Sequence, residues 1–153
     1  VLLGSMSATS CGDTVFGFFV YLAFVRPDLP HLLLFVVLSI SVAFLFVGFS
    51  ILTGSLTFFL GNAEGLAEQW RFSMITFSTY PATLFEGIVK IILYTLIPAA
   101  FVSYLPIVAL KEMSMYYAGL TLAGSFAVLA IGSAVFYLGL RRYESGNLLE
   151  MRG

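Results

Sequence analysis

Long stretches without a charged residue constrain this chain more than any other feature. Leu32–Ala63, Ile91–Leu110 and Met113–Leu140 contain no Asp, Glu, Lys or Arg. About 20 consecutive apolar residues cross the hydrocarbon core of a bilayer as a helix. A soluble domain carries roughly a quarter charged residues, whereas this chain of 153 residues carries 10%. The sequence therefore predicts an integral membrane protein, an all-α, polytopic transmembrane helical bundle.

The charged positions mark the ends of the predicted spans. Residues 1–25, 32–60 and 115–140 are predicted to cross the membrane as helices, and RPDLPH at 26–31 predicts a tight polar turn that joins the first two as an antiparallel pair. Arg141 and Arg142 follow the last span. Because positive charge marks the cytoplasmic side, we expect the tail, residues 141–153, to lie inside the cell.

Asp13 is the single charged residue of the first predicted span. It is either a helix N-cap or a residue facing protein, or else a polar group on a transport path, since ionisable residues within spans often mark such paths.

A helix is predicted from about Ala63 to Thr79, with Asn62 as its N-cap. By their spacing its charged residues share one face: Glu64, Glu68 and Arg71. Its large apolar residues lie largely elsewhere: Phe72, Ile75 and Phe77. The helix either lies in the membrane interface or crosses the membrane with its polar face toward protein, and the sequence leaves both open.

Residues 70–106 are mostly apolar, yet three prolines interrupt them: Pro81, Pro98 and Pro106. Proline removes a backbone donor and clashes with the preceding helical turn, so each predicts a break or a kink. In lipid, a broken helix persists only where protein or a water-filled cavity covers the freed backbone groups. The stretch Ile91–Leu110 is long enough to span, and it equally suits a re-entrant hairpin.

Glu86 and Lys90 fall within a predicted short helix, Ala82–Tyr94, at the favourable i, i+4 spacing. They form either a surface pair or a charged pair at the mouth of a pathway.

Small residues recur along the last predicted span. Gly119, Ala123 and Ala127 are four apart, and Ala130 and Ala134 continue a neighbouring stripe. Small residues at this spacing let helix backbones approach closely in lipid. The stripe serves either packing within the chain or a dimer interface.

Several kinds of chemistry have no support in the sequence. The net charge of −1 gives no sign of nucleic-acid binding, and no phosphate-binding glycine loop is followed by lysine. One histidine and one cysteine, Cys11, leave no multi-cysteine or multi-histidine metal site. The sequence therefore predicts no enzyme and no cofactor of its own.

Ordered motifs carry a resemblance to a known family. Trp70 stands ten residues before the pair Tyr80-Pro81, Ile97-Pro98-Ala-Ala-Phe-Val leads through Tyr104 to Pro106, and Arg142-Tyr143-Glu144-Ser145 closes the last span. With Gly-Asp-Thr-Val-Phe-Gly at 12–17, this order resembles the permease subunits of ABC transporters of the ABC-2 type, over nearly the whole chain.

The resemblance implies a six-span permease of the cell membrane, of which this chain supplies the last four spans as one N-terminally incomplete domain. Residues 1–25, 32–60, 64–79 and 115–140 would be the spans, and 82–106 a proline-broken re-entrant segment on the outer side. It also implies a second permease subunit, identical or different, and an ATP-binding cassette subunit that holds ATP and Mg²⁺.

The first functional hypothesis is the permease half of an ABC exporter of an amphipathic or apolar solute. Its candidate pathway or gate residues are Glu68, Trp70, Glu86 and Lys90. An assembly protein of the membrane without transport activity, or an intramembrane enzyme, are the alternatives.

Overall fold

The computed structural model describes residues 8–61, 63–80 and 84–150, which are helical and contain no strand. In chain order the helices are α1 (Ala8–Val20), continued by a π-helical turn (Tyr21–Val25), α2 (Leu29–Ser55), α3 (Thr57–Leu60), α4 (Glu64–Thr79), α5 (Gly87–Thr95), α6 (Ala99–Val102), α7 (Tyr104–Glu112) and α8 (Met115–Glu150). Within these described residues, two helical ranges are long and apolar enough to cross a membrane, Leu29–Leu60 and Met115–Arg142. The predicted all-α class is confirmed.

The chain divides into two compact units at Phe35–Val36. In the first unit, the ring of Tyr21 stacks on Phe35 at 4.0 Å between centroids, and its hydroxyl donates to the His31 carbonyl at 3.4 Å. Asp13 lies inside α1, so the N-cap interpretation is wrong, and its side chain lies outside what the structure describes.

The connection between α1 and α2 is shorter than the predicted turn at 26–31. Arg26 adopts a left-handed conformation (φ 48°) and ends the π-helical turn, and α2 already begins at Leu29. Pro30 stands in the first turn of α2, where a helix has no partner for the backbone N–H that proline lacks. Pro30 therefore belongs to the first turn of α2 and is not part of the connecting turn.

In the second unit, α2 and α8 pack in parallel. Ser41 Oγ donates to Ser125 Oγ at 2.9 Å, and further along both helices the rings of Phe58 and Phe136 lie 5.6 Å apart. Residue numbers rise together in these pairs, so the two helices run in the same direction. The chain must therefore reverse between them, which α4 does by returning after Gly61 at φ 77°.

Two glycines bring the backbones of α2 and α8 into direct contact. A Cβ atom on Gly48 would lie 2.5 Å from the Leu129 Cα, and one on Gly132 would meet the carbonyl oxygen of Gly48. Both glycines are buried. This contact, with the Ser41–Ser125 hydrogen bond, holds the two longest helices together.

The small-residue stripe predicted on the last span is not part of this contact. The stripe residues are all exposed: Gly119, Ala123, Ala127, Ala130 and Ala134. Packing within the chain is therefore the wrong interpretation, because α8 turns Thr121, Ser125 and Gly132 toward α2. The dimer interface remains a prediction.

Leu45, Phe49 and Met74 are almost fully buried and form the core of this unit. The partly buried side chains that pack around them come from four helices and the segment before α6: Phe46, Leu52, Trp70, Ile97, Phe101, Val102 and Val128. This core joins α2, α4, α6 and α8 at one level.

Two breaks, one ending at Pro98 and one at Ser103, divide residues 87–112 into three short helices. Pro98 is the N-cap of α6 (φ −73°), and Pro106 is the third residue of α7, within its first turn. Both are buried. α5 and α7 have nine residues each, about 13.5 Å at 1.5 Å per residue, so neither is long enough to cross a membrane alone. The predicted break at Pro98 is confirmed, so residues 91–110 are not one continuous helix.

Candidate functional site

The helix predicted from about Ala63 to Thr79 is present as α4, with 16 residues. Ala63 occupies the N-cap without a side-chain hydrogen bond, and the predicted cap, Asn62, lies outside the described residues. One side of α4 buries Ala67 and Met74 against the core. The charged side chains of α4 are exposed.

Trp70 lies on the buried side of α4, one turn before Met74. It is partly buried and packs against the cluster of Leu45, Phe49 and Met74. Its indole therefore has a structural role in seating α4 on α2. A role in the pathway, predicted for it from the sequence, remains a prediction.

The exposed side of α4 carries Glu64, Glu68 and Arg71. Ile75, which the sequence analysis assigned to another face, follows Arg71 by one turn and is 53% exposed. We call these four residues the charged face of α4. Among the described residues, none forms an ion pair with its three charged members.

The core cluster of Leu45, Phe49 and Met74 gives a reference point along the helix axes of the second unit. Leu45 and Phe49 flank the midpoint of the charge-free run Leu32–Ala63, which falls between Val47 and Gly48. Val128 is likewise one residue past the midpoint of Met113–Leu140, between Phe126 and Ala127. Since all three side chains meet at one cluster, the cluster marks the middle of both long apolar helices.

Arg71 and Glu68 lie about 4.5 Å and 9 Å along the helix axis from Met74, the fully buried α4 residue of this cluster, in the direction of the start of α4 at Glu64. A charged side chain at the centre of a bilayer is unfavourable by about 3 kcal/mol on insertion scales, and such residues face protein or a water-filled cavity. The charged face of α4 is thus the part of this surface least compatible with lipid.

Glu86 and Lys90 do not form the predicted helical pair. Glu86 is the N-cap of α5 in an extended conformation (φ −127°, ψ 162°), and Gly87 follows at φ 58°. Glu86 therefore precedes the helix and is not one helical turn below Lys90 on its surface. Both side chains are exposed, and the carboxylate of Glu86 stands at the helix N-terminus, where negative charge is favourable.

The motif residues after α4 are distributed around the proline-broken segment. Tyr80 ends α4 and is 54% exposed, while Pro81 lies outside the described residues. Pro98 sits beside the buried residues Ala99 and Ala100 of α6. The ring of Phe101 lies directly on Gly124, so close that a Cβ there would overlap it.

Tyr104 opens α7 and is 38% exposed. Pro106, two residues later, is buried. The first turn of α7 thus turns its proline inward and its tyrosine outward.

The opposite end of the bundle carries the arginines. The guanidinium carbon of Arg142 lies 5.9 Å from the ring centroid of Phe59 in α3, within the range of a cation–π contact. Tyr143 continues α8, and its side chain is not described. Within the part of the chain that the structure describes, no three His, Cys, Asp or Glu side chains are grouped so as to hold a metal ion.

Sequence reasoning missed two features of this site. Arg71 was placed on the charged face but was not chosen as a candidate, although its one-turn spacing from Glu68 was visible. The parallel contact of α2 and α8 through Ser41 and Ser125 had no local signal, because the two serines are 84 positions apart.

Comparison with known proteins gives one match. A model of a protein family, described as ABC-2 family transporter protein, matches residues 1–147. No curated protein matches the chain, and no solved structure matches it. The match covers both long apolar helices and the proline-broken segment between them.

Proposed function

Because this chain belongs to the ABC-2 family of transporter proteins, we propose that it is a permease subunit of an ATP-driven ABC exporter. In this proposal, it forms the solute pathway together with a second permease subunit. Family membership makes it a transport protein of the membrane. The observation that supports a gated pathway is the buried proline elbow, by which we mean Pro98 to Val102.

The position of the elbow supports a re-entrant segment. Phe101 contacts Gly124, nine residues after α8 begins, which is about 13.5 Å along the helix. Half the thickness of a hydrocarbon core is about 15 Å. In the proposal, α5 descends from one membrane surface to mid-depth, the elbow turns, and α7 returns to the same surface.

The direction of the long helices is consistent with this topology. Since α2 and α8 are parallel, α4 returns the chain, and the segment from α5 to α7 must begin and end on the side where α8 starts. Arg141 and Arg142, in the C-terminal half of α8, support a cytoplasmic location of this part of the helix by the positive-inside rule. The re-entrant segment then opens to the outside of the cell membrane.

We assign the ATP chemistry to a separate subunit. An ATP-binding cassette subunit, carrying ATP and Mg²⁺, would dock on the cytoplasmic side and drive the permease between inward-open and outward-open states. Helices that pack in two discrete arrangements are the usual elements of such a switch. This chain would contribute helices and a pathway surface, and no catalytic group.

Within the pathway, the candidates now have different roles. Glu68 is exposed one turn into α4 and is the candidate pathway residue of that helix. Glu86 and Lys90 lie at the outer start of α5, where they would border the outer mouth. Trp70 would fix α4 beside the pathway. An amphipathic or apolar solute suits the exposed aromatic residues around them.

One observation also fits an alternative in which the chain is an assembly protein without transport activity. The exposed stripe from Gly119 to Ala134 on α8 offers a close-packing surface to another helix. That surface is equally expected of a permease with a partner subunit, so the stripe does not separate the two functions.

Co-purification tests the proposal directly. The intact gene is expressed with its neighbours, the membranes are extracted in mild detergent, and a tag on this subunit is used to isolate the complex. We expect a stoichiometric ATP-binding subunit and an ATPase activity that is stimulated by transported solutes. Recovery of this subunit without an ATPase partner under several mild conditions would refute the exporter and support the assembly protein.

A further inference from the structure

Arg142 and the short helix α3 meet where the two long apolar ranges end. The range Leu29–Leu60 ends with α3, and the range Met115–Arg142 ends at the arginine itself. The guanidinium carbon of Arg142 lies 5.9 Å from the ring centroid of Phe59, so both ends reach the same level of the bundle. Because apolar spans end where the hydrocarbon core meets the lipid headgroups, this arginine lies at the level of the headgroups.

Phe58 seats α3 on α8 and leaves Phe59 at the surface. The Phe58 ring lies against the buried Gly139, where a Cβ atom would be 2.7 Å from a ring carbon, and it packs edge-on against Phe136. Arg142 follows Gly139 by three residues, on the same side of α8. Its guanidinium therefore lies over the Phe59 ring, at the distance of a cation–π contact. The packing of α3 thus fixes the position of this cation.

The guanidinium of Arg142 keeps its hydrogen-bond donors for another molecule. Among the side chains that the structure describes, none forms an ion pair or a hydrogen bond with it. Its neighbours three and four positions away on α8 are not acidic, being Leu138, Gly139, Ser145 and Gly146. A planar guanidinium with open N–H groups matches the oxygens of a phosphate in a bidentate manner.

Exposed apolar side chains lie next to this cation. Leu60, the residue after Phe59, is 62% exposed, and Leu138, one turn before Arg142, is 60% exposed. An acyl chain that runs along α8 would contact Leu138 while its headgroup meets the arginine. A free phosphate would use the cation alone, so the apolar border favours a lipid over a soluble anion.

We propose that Arg142, held over Phe59, binds the headgroup phosphate of an anionic phospholipid whose acyl chains lie against Leu60 and Leu138. A net negative headgroup is favoured because a zwitterionic one brings its own ammonium group to a site that is already positive. Basic sites between membrane helices at the cytoplasmic surface bind anionic headgroups in this way. The site goes beyond the proposed function, since it requires only that the chain lies in a membrane.

A lipid in this site would connect α3 to α8, because each helix contributes contacts to it. A ligand that binds the folded protein alone stabilises it by mass action. Anionic lipid should therefore raise the unfolding midpoint of the original protein and raise that of Arg142→Gln less. An equal rise in both would overturn the site.

Native mass spectrometry of the intact, delipidated protein measures binding directly, with phosphatidylglycerol and phosphatidylcholine as the probes. We expect phosphatidylglycerol to bind more tightly, and Arg142→Gln to weaken its binding about five-fold. Arg141→Gln is the matched control, because it removes the same charge from a neighbouring exposed residue about 100° around the helix axis. It should weaken binding by less than about two-fold, since an exposed charge away from the headgroup is screened. Equal losses would indicate general surface charge and overturn the site.

Phe59→Leu tests the ring without a change of charge. The leucine keeps an apolar side chain beside Arg142 but cannot orient the guanidinium. We expect phosphatidylglycerol binding to fall about two- to five-fold, as for the loss of one exposed cation–π contact. Unchanged binding would overturn the assignment of Phe59 to the site.

Two further measurements identify the ligand and separate this inference from the proposed function. Glycerol phosphate, which lacks acyl chains, should not displace phosphatidylglycerol, and displacement at equal concentration would overturn the lipid in favour of a free phosphate. Loss of bound lipid when the ATP-binding subunit is present would show that this partner covers Arg142, and would overturn the site while leaving the exporter intact. Lipid bound through Arg142 in a protein that has no ATP-binding subunit would do the reverse.

Discussion

Replacing Gly48 by alanine tests the close contact of α2 and α8. The added Cβ would lie 2.5 Å from the Leu129 Cα, whereas ordinary carbon–carbon contacts are about 3.5 Å or longer. The obstacle is backbone, which cannot move aside as a side chain can. The helices must therefore separate locally by about 1 Å, and overpacking of this kind typically destabilises by about 1–3 kcal/mol.

The same separation of the helices also removes the stabilisation that a hydrogen bond between them provides. The Ser41–Ser125 hydrogen bond is 2.9 Å long, and a separation of about 1 Å takes it beyond hydrogen-bonding distance. Hydrogen bonds between membrane helices contribute about 0.6 kcal/mol on average. These two losses add up to about 1.6–3.6 kcal/mol, which is the amount by which we expect the free energy of unfolding of Gly48→Ala to lie below that of a glycine-to-alanine change at an open site of the same helix.

Gly54→Ala is the matched control on the same helix. A Cβ at Gly54 meets nothing within 4 Å, so only the helix propensity changes, and alanine is favoured over glycine by about 1 kcal/mol. The same gain applies to Gly48→Ala and cancels in the comparison between the two variants. Gly54→Ala should be as stable as the original protein or more so.

Unfolding in mixed micelles, with increasing sodium dodecyl sulfate, measures this difference. Trp70 is the only tryptophan of the chain and packs on the core cluster, so its fluorescence reports the packing of α4 on α2. Equal midpoints for Gly48→Ala and Gly54→Ala would refute the close contact of the two helices.

Three further predictions follow from the core and the elbow. Met74→Ala should destabilise by about 2–5 kcal/mol in the same unfolding assay, because Met74 is fully buried and its removal leaves a cavity; a loss below 1 kcal/mol, on this same scale, would place it outside the core. Ser41→Ala should destabilise by about 1 kcal/mol, whereas Ser73→Ala, whose hydroxyl is bonded to its own helix, should change little; equal effects would argue against the interhelical bond. Pro98→Ala should reduce export in a vesicle assay while changing stability by about 1 kcal/mol or less, and unchanged export by a well-expressed variant would count against a gate at the elbow.

The sequence predicted those features that depend only on residues close together in the chain. The absence of charge over Met113–Leu140 predicted a long apolar helix, because hydrophobicity over about 20 residues is sufficient to specify a span. Pro98 predicted a break because a proline in a helix interior removes a hydrogen bond, whatever surrounds it. The same logic failed at Pro30, since a proline in the first turn of a helix removes no bond.

Features that depend on distant parts of the chain were not predictable in this way. The spacing of glycine and alanine predicted a stripe of small residues from Gly119 to Ala134. However, α8 contacts α2 through Gly132, because this is the glycine that lies against Gly48 of α2. Glu86 and Lys90 had the spacing of a helical pair, yet α5 begins only after Glu86. Where a helix begins, and which face of it is covered, depends on neighbours that no local pattern records.

The polarity of α4 has a consequence for how the protein is made. Three charges among its 16 residues make α4 a poor substrate for insertion as an isolated segment, since each is unfavourable by about 3 kcal/mol near the centre of a span. Met74 and Ala67 become buried only against residues of α2 and its neighbours, which are synthesised earlier or later. We therefore predict that α4 is inserted together with these neighbouring helices and not as an isolated segment.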